Sequence, residues 1–214
     1  MIFSKGSRVQ GAKQRSFLLI GSEMNGSVEG KGVLHPLRPA ATAALRPMVY
    51  ASLFAALMAA GAYMAVPIGP VPIVLQNMFV FLAGLLLGSR WGLTSVAVYL
   101  LAGVVGLPVF AGGTGGIGRI FGPTGGFLIG YLPVVFLVGR LGERLTRRMV
   151  WDVVAMTAGA LVLYACGVAW LAAVTGLPFG KALTLGMVPF LPGDALKIAA
   201  AALIARAVRP VMNS

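Results

Sequence analysis

The sequence predicts an all-α integral membrane protein of six transmembrane helices, with both termini cytoplasmic and a ligand pocket at the extracellular side. Three observations carry that expectation. Of the 214 residues 58% are hydrophobic and only 10% charged, with a mean hydropathy of +0.92, whereas soluble domains hold about 25% charged residues. The charges are segregated: none falls within 47–89, 91–118, 120–139 or 153–180. Each of those runs is long enough for a span, which needs about 20 mostly apolar residues. Finally, the basic residues are distributed very unevenly between the connecting segments.

Residues 1–45 are polar and contain Gly and Ser, with a single apolar patch at Phe17–Ile20. That patch is far shorter than the roughly 7–15 residue core of a signal peptide, so the segment reads as a disordered cytoplasmic extension, and 46–214 as the membrane domain. Taking Gly and Pro clusters as turns and charges as ends, the spans run Met48–Val66, Val74–Gly88, Trp91–Leu107, Thr124–Gly139, Trp151–Thr175 and Pro192–Val208. None shows the alternation of apolar and polar residues that a lipid-facing strand requires, which favours helices over a barrel.

The net charge of +12 reflects topology, not a nucleic-acid groove. Lys5, Arg8, Lys13, Arg15, Lys31, Arg38 and Arg46 precede the first span; Arg90, then Arg140, Arg144, Arg147 and Arg148, and finally Arg206 and Arg209 fall on the same side. The opposite side has only Arg119 and Lys181, and Lys197 sits inside the last span. The positive-inside rule therefore puts both termini in the cytoplasm, and six crossings agree with that parity.

Soft metal ligands are scarce. Cys166 is the single cysteine and His35 the single histidine, too few for a disulfide, a zinc site or an iron–sulfur cluster. The glycine-rich GGTGGIGR lacks the Lys-Ser/Thr ending of a P-loop and lies on the wrong side for cytoplasmic ATP, so nucleotide binding is rejected. No nucleophile accompanies the intramembrane titratable pair, which argues against an enzyme; no catalytic residue, metal or cofactor is assigned.

Polar chemistry gathers at the three outer segments. Residues 67–73 include Pro67, Pro70 and Pro72 and cannot be helical; they lead into Gln76 and Asn77, which either contact a ligand or tie helices together. Residues 108–123 carry Phe110 and many glycines, Gly113 and Gly116 among them, which suit a flexible lid and close approach to a ligand. Residues 176–191 lead to Asp194 and Lys197, spaced i, i+3 on one helix face. That pair is either a ligand site or an interfacial ion pair capping the helix. Tyr164 falls mid-span, where its hydroxyl needs a partner, as an interhelical tie or a pocket group. Trp91, Trp151 and Trp170 read as interface anchors. Ala51, Ala55 and Ala59 line one face of the first span, for packing within the bundle or for docking another subunit.

The stretches VPIGPVPIVLQNMFVFLAGLLLG, GLPVFAGGTGGIGRIFGPTGGFLIG and GLPFGKALTLGMVPFLPGDALK resemble the biotin-specific substrate-binding subunits (S components, BioY type) of energy-coupling factor transporters. The resemblance covers most of Arg46 to Pro210. It implies a bacterial inner-membrane protein that captures biotin from outside and works with a membrane coupling subunit and ATPase subunits. It makes Gln76, Asn77, Asp194 and Lys197 the groups that hold the ureido ring and the carboxylate. In that frame Asp194 accepts from the ureido N–H groups and an amide such as Asn77 donates to its carbonyl. Lys197 neutralises the tail or keeps Asp194 charged, and Phe110, Tyr164 and the proline segment cover the bicycle. Ala51, Ala55 and Ala59 become the docking face for the coupling subunit. The chain departs from the family's frequent Tyr at Phe127, and Arg119 occupies a variable position, so neither is given a role. A self-sufficient biotin carrier without ATPases is the competing reading.

Overall fold

The computed structural model describes residues 39–67, 70–146 and 148–212, with side chains of the first helix from Leu45 onward. The chain divides into two compact units, Met1–Thr42 and Ala43–Ser214; of the first, only the helical backbone of 39–42 is described. The expected extension over 1–45 thus lies mostly outside the described residues, and helix already begins at Pro39. In order, the elements are α1 (Pro39–Tyr63), α2 (Gln76–Val104), α3 (Gly118–Phe121), α4 (Gly125–Arg144), α5 (Met149–Thr175), α6 (Phe179–Gly186), a 3-10 turn (Val188–Phe190) and α7 (Leu191–Met212).

Among the described residues large apolar side chains face outward, while a few polar and charged ones are buried within an otherwise apolar core. Leu196 is 73% exposed while its neighbour Asp194 is 4% exposed, and Leu101, Leu161 and Leu203 are all exposed. Water-soluble domains arrange these residue types the other way round. Five helical stretches are long and apolar enough to cross a bilayer: Leu45–Tyr63, Gln76–Val104, Gly125–Arg144, Met149–Thr175 and Phe179–Met212.

The second and third predicted spans appear as one element, α2, which is broken at Gly88 (φ 77°, ψ −176°). The break is a reversal. A Cβ placed on Gly92 would sit 3.2 Å from the carbonyl oxygen of Ala83, whereas nine residues of straight helix separate two positions by about 13 Å. The two arms of α2 therefore fold against each other. Glu143 secures the corner by accepting from the Ser89 backbone N–H at 2.6 Å and its hydroxyl at 2.9 Å. Beside the turn α4 passes close enough that a Cβ on Gly139 would lie 2.5 Å from the Ser89 nitrogen. Small residues permit that approach, and packing of this kind, not apolar desolvation, holds helices together in lipid.

The segments expected to be loops contain more structure than composition suggests. Residues 108–123 include α3, and residues 176–191 include α6, whose Ala182 and Gly186 are buried. Both helices are short and flanked by glycine and proline, which composition reads as turns. The proline segment is non-helical where it is described, and its ends pair, with Val66 and Ile73 exchanging backbone hydrogen bonds of 2.8 and 2.9 Å.

Replacing Gly88 by Ala combines a backbone conformation open almost only to glycine with a Cβ 2.6 Å from Glu143 Oε1. The expected cost is about 1–3 kcal/mol, read as a lowered midpoint of thermal unfolding in detergent; an unchanged midpoint would contradict this account of the turn.

Candidate functional site

A cleft opens between the starts of α2, α4 and α7, the middle of α5 and the glycine-rich segment, with about 810 Å³ of space between its atoms, the open mouth included. Its centre is Asp194, in the first turn of α7 and buried, where the positive end of the helix favours a carboxylate. Asn77 Nδ2 donates to Asp194 Oδ1 at 2.8 Å, Lys197 Nζ donates to the same oxygen at 2.9 Å, and the Tyr164 hydroxyl donates to Oδ2 at 2.5 Å. Lys197 Nζ also donates to the Val74 carbonyl at 2.6 Å. One carboxylate thus ties together α2, α5, α7 and the strand-like segment before α2. Three of its roughly four acceptor sites are taken.

That network fixes which way Asn77 points. An ionised carboxylate only accepts, so the amide nitrogen faces Asp194 and the oxygen is turned away. Asn77 Oδ1 is buried with no hydrogen-bond partner, and so is Gln76 Nε2. Both residues line the cleft. Leaving a buried polar atom unpaired costs about 1–3 kcal/mol. Asn77 therefore offers an acceptor that a ligand can satisfy, while the Gln76 amide is also within reach of the buried Tyr99 hydroxyl. The expectation that Asn77 donates to the ligand shifts accordingly: one of its N–H groups is held by Asp194, and its open atom is the acceptor.

The other predicted residues sort clearly. Phe110, Tyr164 and Lys197 line the cleft, as do Pro70, Val71 and Pro72 of the proline segment. Phe110 is 2% exposed and meets Tyr99 edge to face, with centroids 5.6 Å apart. Gly113 and Gly116 do not line it. Gly113 backs onto Tyr63, and the Gly116 N–H donates to the Gly103 carbonyl at 2.7 Å. Their contribution is to backbone shape: Gly112 and Gly113, both at φ 70°, make the tight turn that returns Thr114 to Phe110, and Ala111, Thr114 and Arg119 then supply the lining side chains.

Sequence reasoning missed Phe127, Leu128 and Tyr131 of α4 and Phe190 of the 3-10 turn, all part of the wall. Tyr131, a mid-span tyrosine like Tyr164, carried the same signal and went unread. Trp170 is more than an interface anchor, because its indole N–H donates to the Gly122 carbonyl at 3.0 Å and holds the glycine-rich segment to α5. Ala51 and Ala55 are buried and Ala59 is half-buried. Burial of the first two puts them into the bundle, and the exposed small residues of α1 are Ser52, Ala56 and Ala60.

The model of the BioY family matches residues 34–214. The chain belongs to the BioY family. It is 41% identical over 161 residues to a biotin transporter BioY of Thermotoga maritima, covering 75% of this chain and 94% of that protein. It is 44% identical over 154 residues to a probable biotin transporter BioY of Pyrococcus horikoshii, covering 72% and 90%. Among solved structures it resembles the S-component for biotin from an ECF-type ABC transporter, with a TM-score of 0.74 and 30% identity over 79% of this chain and 93% of that one. Transporter relatives and five apolar helical stretches together make this family member a multi-pass membrane protein.

If the Asp194 network is as described, Tyr164→Phe removes a hydrogen bond to a charged acceptor and lowers stability of the ligand-free protein by about 1.5–3 kcal/mol. Combined with Asp194→Asn the losses should fall well short of additive. Thermal unfolding of the two single variants and the double variant checks both points, and strict additivity would dissolve the network.

Proposed function

We propose that this chain is the biotin-capturing S component of an energy-coupling factor transporter: a transport protein, not an enzyme, with biotin as cargo and no cofactor of its own. It crosses the bacterial cell membrane six times, the Gly88 reversal turning five apolar stretches into six crossings. Both termini lie in the cytoplasm, where the basic residues concentrate, and the cleft opens to the outside. A membrane coupling subunit and ATPase subunits supply the energy.

The observation that carries this reading is the unpartnered Asn77 Oδ1 at the cleft, beside the Asp194 carboxylate. Biotin's ureido ring presents two N–H donors, which suit Asn77 Oδ1 and the remaining acceptor site of Asp194, on either side of its carbonyl. Lys197, engaged by Asp194 and Val74, acts mainly to hold the carboxylate in place. Arg119 stands exposed at the mouth with no acidic partner among the described residues and is placed to meet the tail carboxylate. Phe110, Phe127, Tyr131 and Phe190 enclose the apolar bicycle, as small-ligand pockets require. The segment 108–123 acts as lid: a ligand that binds the closed form better shifts the population toward it, and closure is what the coupling subunit senses.

Asp194→Asn is expected to weaken biotin binding by about 1.5–3 kcal/mol, roughly 10- to 150-fold, in calorimetry on folded protein. Arg119→Gln should weaken biotin roughly tenfold while leaving biotin amide unaffected, since only the acid offers a charge-assisted partner. Failure of the purified chain to retain biotin, or full uptake in cells stripped of coupling subunits, would overturn the corresponding part of the proposal.

A further inference from the structure

A second cluster of charge sits at the other end of the bundle. Along α7, Asp194 and Arg209 lie about 22 Å apart at 1.5 Å per residue. There Arg148, Met149, Asp152, Arg206 and Arg209 line a depression between the start of α5 and the end of α7. Arg209 donates from Nη1 to Asp152 Oδ2 and from Nη2 to Asp152 Oδ1, both at 2.7 Å, with Asp152 only 3% exposed. That bidentate pair cancels its own charge and pins the floor.

Two guanidinium groups are left over. Arg148 and Arg206 are exposed, and the carboxylates of the described residues are all engaged elsewhere: Asp194 by Lys197, Asp152 by Arg209, and Glu143 by Arg140 and Ser89. Arg206 and Arg209 are spaced i, i+3 and share a face of α7. Arg148 immediately precedes the first turn of α5, where the helix dipole adds further positive potential. Gathering like charge in one depression is unfavourable unless an anion fills it. The surroundings identify the setting: Val150 is 69% and Trp151 41% exposed beside the arginines, the mix of apolar and basic residues found where a span meets lipid headgroups. Basic pockets between helix ends at that level suit phosphate headgroups.

We propose that this depression is a binding site for a phosphate group, that of an anionic phospholipid headgroup or of a soluble phosphate. Arg148 and Arg206 donate to its oxygens, and the Arg209–Asp152 pair forms the floor beneath it. The test uses the full chain, delipidated in detergent and followed by native mass spectrometry with phosphatidylglycerol, phosphatidylcholine or inorganic phosphate added. Phosphatidylglycerol should be retained roughly tenfold better than phosphatidylcholine, and the Arg148→Gln/Arg206→Gln variant should lose the preference while still retaining biotin. Displacement of phosphatidylglycerol by millimolar inorganic phosphate, with equal protection against unfolding, would uphold the site and assign it to a soluble anion. Equal retention of the two lipids without any response to phosphate would overturn it. So would a preference that survives in the variant, or a variant that loses only its association with partner subunits, which would make the cluster a protein-docking surface.

Discussion

The carboxylate of Asp194, buried among apolar helices, is the constraint around which this structure is organised. A charge within a membrane protein is costly unless paired and hydrogen-bonded, and Asp194 meets that condition only because Asn77, Tyr164 and Lys197 converge on it from three helices. Such a network is weak grounds for overall stability, because desolvation offsets much of the attraction. Its effect is on geometry: α2, α5 and α7 cannot slide or rotate without leaving a charge or a donor unpaired. The lysine extends the constraint to the Val74 carbonyl, so the entry to α2 is fixed by the same centre.

Once Asp194 has set the helix ends, glycine sets how closely they pack. A Cβ on Gly103 would fall 2.0 Å from Phe110 Cζ, and the aromatic wall of the cleft therefore rests on the absence of a side chain one layer behind it. Tyr63 donates to the Pro108 carbonyl at 2.6 Å and Trp170 to Gly122 at 3.0 Å, so the glycine-rich segment is moored at both ends while Ala111, Thr114 and Arg119 between them line the opening.

The spans were legible in the sequence because exclusion of charge from lipid leaves a one-dimensional trace. Trp151–Thr175 was predicted where Met149–Thr175 is found, and Pro192–Val208 where Leu191–Met212 is found. Asp194 and Lys197 stood out for the complementary reason, since charged residues are rarely kept in such surroundings without a partner. What the sequence hid depends on orientation and tertiary contact. Phe127, Leu128 and Tyr131 reach the cleft only because of how α4 is rotated about its axis. The small-residue face of α1 was equally compatible with packing inside the bundle and with docking, and burial of Ala51 and Ala55 distinguishes the two. Helices α3 and α6 are short and flanked by glycine and proline, which hides them from a reading that takes such clusters as turns. Gly113 and Gly116 show the limit of reading glycine as ligand contact, since their effect on the cleft is exerted through the backbone.

The corner at Gly88 also shortens the route through the molecule. The first arm of α2, residues 76–87, is only about 18 Å long at 1.5 Å per residue, and most of it is enclosed by other helices, with Met78, Val80, Phe81, Leu82 and Ala83 buried. Surrounded by protein and not by acyl chains, it escapes the mismatch that so short a helix would suffer in a hydrocarbon layer about 30 Å thick. If the cleft holds cargo as proposed, a ligand against Gln76 and Asn77 would have only this short arm beside it, so less than one full membrane thickness of packed helix would separate it from the far end of the bundle.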